Sequence, residues 1–151
     1  MRPALLDVNL LVALAWPNHV HHAVAHAWFQ RNQSNGWATC PVSQAGFVRV
    51  SSNKKIIPEA RTPREAMRLL QRITELPHHQ FWSDDIDFAS SSLIATEKLL
   101  GFRQVTDAHL LAIALRHEGR LATLDRGLRS IIPRNVPPED AIEILTSSLG
   151  D

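Results

Sequence analysis

The stretch QVTDAHLLAIALRHEGRLATLDRGL, residues 104–128, constrains the fold more than any other part of the chain. Its apolar residues first recur at helical spacing over 107–117, with Thr106 as the N-cap and Asp107 as the opening residue. Gly119 ends the helix, and residues 120–124 form a short apolar run of strand character. A helix that hands over to a buried strand through one glycine turn is the working unit of an α/β protein. The rest of the chain repeats it. Residues 3–8 (PALLDV) read as a buried strand, followed by an apolar helix over 9–16 that Pro17 stops. An amphipathic helix over 19–31 carries Val20, Ala23, Val24, Ala27 and Trp28 at spacings of three and four. WATCP (37–41) is strand-like, and Ser43 is the expected N-cap of the next helix. Thr62-Pro63-Arg64-Glu65 is a capping box that starts a helix running to about Glu75, ahead of Pro77. HQFWSDD (79–85) supplies another strand, 86–100 another helix closed by Gly101, and 141–145 a last apolar run.

Helices alternating with short apolar strands imply a three-layer α/β fold around a mostly parallel sheet. At 151 residues the chain makes one domain, 1–151, able to bury roughly 68–70% of its unfolded surface without staples. Its single cysteine, Cys40, excludes an internal disulfide and a multi-cysteine zinc cage. The formal charge of +1 carries no field that announces nucleic acid, so any such contact must be local. Asp7 and Asn9 interrupt the N-terminal apolar run, which makes it a strand rather than a secretory leader. No stretch approaches the ~18 continuous apolar residues of a membrane span. A cytoplasmic protein is expected.

Three acids share one address in this reading. Asp7 ends the first strand, Asp125 follows the strand LATL, and Asp107 opens a helix where strands of such a fold hand over to helices. Sites in open parallel sheets form in the crevice beyond the strand C-termini, so the three are expected to converge although far apart in sequence. Two carboxylates about 5 Å apart repel by roughly 3 kcal/mol at an effective dielectric near 20. Three of them require a cation or a shared proton. Oxygen ligands with spare positions for water suit Mg²⁺ or Mn²⁺, the equipment for phosphodiester hydrolysis. Ordinary structural readings stand beside this one. Asp107 suits the positive end of a helix dipole, and Asp125 suits a turn or N-cap. Asp7 has the least of such an excuse, because an acid among Leu5, Leu6, Val8 and Leu10 would be buried unpaired.

On these residues the chain resembles the PIN-domain ribonucleases, and among them the VapC-type toxins of bacterial toxin–antitoxin pairs. The segments that carry the resemblance are LLDVNLLVAL (5–14), WATCPVSQAGFVRV (37–50), VTDAHLLAIALRHEGRLATLDRGL (105–128) and the final short strand. It implies a PIN-like α/β/α sandwich and a metal-dependent endoribonuclease. Asp7, Asp107 and Asp125 would be the catalytic acids that bind Mg²⁺ or Mn²⁺, with Asn9 and Thr123 as small polar neighbours. It further implies a homodimer and a cognate VapB-type antitoxin whose peptide blocks the site. One departure stands out. The family usually places a Glu in the helix after the second strand, where this chain has Gly46, with Gln44 as a polar neighbour. Gln-x-Gly-Phe resembles a variant found in a subset of such toxins, and it reads as a three-acid site that holds one ion well and a second weakly. The alternative is a non-catalytic PIN-like module that binds RNA or a partner without a working metal. A small-molecule phosphohydrolase is remoter: no glycine-rich phosphate loop follows the first strand, and LLDVN lacks the second Asp of an aspartyl-phosphate enzyme.

Other motifs have plainer readings. HVHHAVAH places His22 and His26 four apart, as zinc ligands can be, but without the Glu of a zinc-protease helix it reads as a solvated face. Cys40 and the four tryptophans fall in apolar contexts and are assigned to the core. Arg49, Lys54, Lys55, Arg61 and Arg64 cluster around a loop, and Arg126 adjoins Asp125. These six are the candidates for RNA phosphates, contacts that give affinity rather than sequence choice.

Overall fold

Period-two burial in short strands divides the molecule into three layers. In the computed structural model, which describes residues 1–146, strand β1 (Ala4–Leu6) turns Ala4 and Leu6 to one core and Leu5 to the other. The two strands beside it do the same: Trp37 and Ala122 join the first core, Ala38 and Leu121 the second. Strands apolar on both faces must be covered on both, as an all-parallel sheet requires.

Helices follow in chain order. α1 (Val8–Ala15), α2 (His22–Asn32), β2 (Trp37–Thr39), α3 (Pro41–Ser51) and α4 (Pro63–Thr74) lead to β3 (His79–Phe81). α5 (Gln104–Arg116), β4 (Arg120–Thr123), α6 (Pro138–Ala141) and β5 (Ile142–Ile144) complete the described chain. Leu10–Ala13 of α1, Trp28 and Phe29 of α2, Phe47 of α3 and Leu70 and Ile73 of α4 fill the first core. α5 supplies Ala108 and the run from Leu110 to Ala114 to the second, with Trp82, Leu128 and Ile131. The sheet has the order β3-β2-β1-β4-β5 and every pair is parallel. The chain therefore leaves β1 toward one edge and returns to its other side at β4, which makes the β1–β4 seam the switch point of the sheet. Its carboxyl end is where such folds place a site. The PIN-like sandwich with a parallel sheet is as expected, and no helix among the described residues is long and apolar enough to cross a membrane. Residues 147–151 of the expected single domain lie outside the described residues.

Several local expectations need correction. The helix expected over 86–100 is irregular chain with one 3₁₀ turn, Thr96–Lys98. Asp87 accepts from Ala89 N and Ser90 Oγ, and Ser91 Oγ accepts from Leu93 N, so side chains capture the amides a helix would use. Cys40, not Ser43, stands at the N-cap of α3; Ser43 lies inside the first turn and its Oγ accepts from Cys40 N at 2.9 Å. α5 starts three residues earlier than expected, at Gln104, so Thr106 lies within its first turn and caps nothing. The strand in HQFWSDD is only three residues, His79–Phe81. Thr62 is the N-cap of α4, with Glu65 N donating to Thr62 Oγ1, while the Glu65 carboxylate accepts from Arg61, so the N-cap half of the expected capping box is present. Cys40 and Trp28, Trp37 and Trp82 are buried, as assigned.

At the other end of β4 a charged pair is built into the sheet. Arg120, its side chain 7% exposed, reaches Glu143 of β5 at 2.7 Å, and the Trp28 indole donates to the same carboxylate. Removing the acid strands a buried guanidinium. Glu143→Ala should therefore lower stability by about 3 kcal/mol, whereas Glu143→Gln, which keeps an acceptor for both donors, should cost less than half as much. Urea titration of the two variants checks this, and equal losses would deny the pair its role.

Candidate active site

Asp7 sits where β1 becomes α1. Its backbone is extended and its Oδ1 accepts from Leu10 N at 2.8 Å, so this acid is the N-cap of α1. Its Oδ2 accepts from the Thr123 hydroxyl at 2.5 Å, across the β1–β4 seam. Asp7 is thus buried but not unpaired, which corrects the expectation drawn from its apolar neighbours. Thr123 Oγ1 in turn accepts from Asp125 N at 3.0 Å. Asp125 caps the 3₁₀ turn Arg126–Ile131 through Gly127 N. Asp107, in the first turn of α5, lines a small cavity of about 140 Å³ together with Asp125, Arg103, Gln104 and Gly127.

The three carboxylates run from interior to solvent: Asp7 is 5% exposed, Asp107 half-buried, Asp125 exposed. They feel one another. Burial first, with smaller contributions from the charges of Asp107 and Asp125 and partly offset by its two hydrogen bonds, lifts the Asp7 carboxyl to about 6. Asp107 is raised first by burial and then by Asp125. Among the described residues no three His, Cys, Asp or Glu side chains are gathered closely enough to enclose an ion by themselves. An ion such as Mg²⁺ needs only one or two carboxylates, with waters and substrate phosphates completing its shell. A donor set of oxygens alone, two of them pushed toward protonation, suits a hard divalent cation.

The remaining candidates divide. Thr123 bridges two of the acids, and Asn9 stands exposed in the first turn of α1. Gln44 is directed elsewhere: its amide donates to Thr39 Oγ1, itself 2.7 Å from His79 Nε2. Gly46 marks a close approach, for an added Cβ would lie 2.6 Å from Val8 Cγ2. The position where the family usually has Glu is here closed by packing between α1 and α3. The basic residues line different features. Arg49 lines an apolar groove between α3 and α4 with Val48, Met67 and Leu70. Lys54, Lys55 and Arg64 are exposed. Arg61 pairs loosely with Glu65 and lines a 440 Å³ cavity with Arg68, Arg72 and Trp16. Arg126 directly follows Asp125. Sequence reasoning missed Arg103 and Gln104 at the acidic cavity, and the pair of His109 with Asp84 at 2.7 Å. The charge of Arg103 beside Asp107 was the available signal; no local pattern announced Asp84. His22 Nδ1 lies against Ala13 O, and the histidine cluster remains a surface feature.

With this geometry in view, comparison with known proteins is informative. The PIN-domain profile matches residues 4–132. Ribonuclease VapC39 of Mycobacterium tuberculosis is 49% identical over 125 residues, 83% of this chain and 90% of that one. Ribonuclease VapC38 of the same organism is 45% identical over 143 residues, 95% and 98% of the two chains. VapBC2 from Rickettsia felis, solved bound to a DNA fragment from their promoter, superposes with a TM-score of 0.63 over 95% of this chain and 99% of that one. At 14% identity this is a likeness of fold.

Two predictions follow from the site. Because the folded-state carboxyl of Asp7 is raised, the cost of its charge is complete above about pH 6 and vanishes below the ordinary carboxylate value. Asp7→Asn keeps the capping oxygen and removes that charge. In EDTA near pH 7.5 it should be more stable than the native chain by about 3 kcal/mol, with the gain fading toward pH 4, in thermal melts across that range. A loss of stability at neutral pH would reverse the assignment. Gly46→Ala should cost about 1–3 kcal/mol by overpacking. The Val8→Ala/Gly46→Ala double variant should be less destabilised than the two single losses combined, and strict additivity in urea titration would deny the contact.

Proposed function

The chain belongs to the PIN-domain family, among the VapC-type ribonuclease toxins, and from that membership we propose that it is a divalent-metal-dependent endoribonuclease acting in the cytoplasm. The observation that carries this reading is the placement of Asp107 and Asp125 on one small cavity at the carboxyl end of the β1–β4 seam, with Asp7 tied to the Asp125 backbone through Thr123. Asp7, Asp107 and Asp125 would border one ion, Mg²⁺ or Mn²⁺, held by one or two of them with water and substrate phosphate completing its shell, and that ion would offer positive charge to a phosphate oxygen and acidify water. The chain does the rest. Thr123 holds the Asp7 carboxylate in one orientation by donating to it, and keeps Asp125 in step by accepting from its amide. Leu10 N fixes the other Asp7 oxygen, so the deepest ligand is pre-set before any substrate arrives. Arg103 and Arg126 put positive charge beside the acids. Arg49, Lys54, Lys55, Arg61 and Arg64 lie further out and would meet the backbone of a longer RNA.

The relatives named ribonucleases favour a nuclease over the non-catalytic binding module. The partners in this reading are a second copy of the chain and a VapB-type antitoxin. An arginine from that antitoxin reaching the three acids is the inhibitory contact their charge invites.

Purified chain incubated with total RNA and Mn²⁺ or Mg²⁺ should give discrete products that EDTA abolishes. Asp107→Asn should lower the rate by about 100-fold or more, the scale on which losing one transition-state-stabilising group acts. Cleavage undiminished in Asp107→Asn would assign it to something other than this site. Folded protein that cleaves nothing with either ion would return the binding module to first place.

A further inference from the structure

Phe102 is 83% exposed and Leu100 is 90% exposed, on the turn that leads into α5. A solvent-exposed phenylalanine is common enough to need no explanation alone, but this one is set in a particular frame. The Arg103 guanidinium carbon lies 5.8 Å from its ring centroid. The same Arg103 lines the cavity that holds Asp107 and Asp125. The turn is also tied down: Gln104 Oε1 accepts from Leu100 N at 2.6 Å and Gly101 N at 3.3 Å. Backbone bonds from Gln104 N to Gly101 O and from Val105 N to Phe102 O close it. The ring is therefore presented by a held loop, five residues ahead of Asp107 in the chain and directly before the first turn of α5.

We propose that Phe102, flanked by Arg103, is a stacking platform for an unpaired nucleobase adjoining the phosphate at the acidic site. An aromatic face beside a guanidinium is what single-stranded RNA uses: the base stacks while the cation takes the neighbouring phosphate. In a duplex, base faces are covered by their neighbours and none is free to stack. Arg103 also supplies charge where three carboxylates would otherwise repel a polyanion. The occupant is accordingly a base rather than a second apolar protein surface. That the adjoining phosphate is the one cut rests on the nuclease reading; the stacking contact itself does not.

Binding separates the two. Fluorescence anisotropy of a short labelled single-stranded RNA with the full chain in EDTA should show Phe102→Ala weakened about tenfold. Phe102→Trp should stay within about twofold of the native chain. Phe102→Leu, which keeps apolar bulk without an aromatic face, should fall with Ala, and binding of the same sequence as a duplex should be unchanged in all three. Phe102→Leu binding as tightly as Phe102→Trp, an equal loss on duplex, or no binding of single-stranded RNA by the native chain would overturn the platform. So would a change of oligomeric state in Phe102→Ala by sedimentation velocity, which would make the ring a contact between copies. Cleavage with Mn²⁺ run in parallel tells the readings apart. Phe102-dependent binding without cleavage sinks the nuclease and keeps the platform. Cleavage with binding indifferent to Phe102 does the opposite.

Discussion

The Thr123 hydroxyl donates to Asp7 and accepts from the backbone N–H of Asp125, and the functional end of the molecule is organised around that pair of bonds. One oxygen ties the residue after β1 to the residue beyond β4, so the seam of the sheet and the candidate site are aligned by the same contact. Asp7 carries a second duty, because its other oxygen caps α1. A helix N-terminus favours the ionised carboxylate, while burial and the two neighbouring acids oppose it. The balance leaves a group whose charge is tolerated rather than welcome, which is the state a cation would relieve.

The α/β architecture was legible because strand and helix alternate with clear periodicity, and because period-two burial needs only three residues to register. The acids were legible because each stands at a strand end or a helix start, positions that topology brings together. What escaped was set by contacts across the fold. Ser43 resembles an N-cap but reaches back to Cys40 N from within the first turn. The 86–100 segment has the composition of a helix, yet Asp87 and the following serines take its amides. Gln44 lies near the acids in sequence pattern and is drawn instead to Thr39, at the end of the strand that leads into its own helix and itself in contact with His79 of β3. Phe102 carried no periodic signal at all, since its meaning comes from solvent exposure and from a neighbour that also faces the acids.

Gly46 shows how a missing acid and a packing demand coincide. A glycine in a helix costs conformational entropy, and here it is repaid by backbone proximity, with Val8 filling the space a Cβ would need. Val8 is also the residue after Asp7. The crossing of α1 over α3 thereby fixes the direction in which α1 leaves the site, and a three-acid site and a close helix crossing become two aspects of one substitution pattern.

The sheet order has a consequence for how the molecule comes into being. β1 precedes every other strand of the sheet in the chain, yet its partner β4 pairs residues 4–6 with 120–122. Loop closure over that span must precede the central parallel pairing, which makes the topology one of high contact order and slow assembly. On a ribosome, Asp7 waits for Thr123 and Asp125 while the residues between them are made. Nascent fragments and prematurely terminated chains that stop before that point hold no assembled acid cluster. The order of strands thus acts as a timer, keeping the site unformed until the segment through Asp125 has been translated.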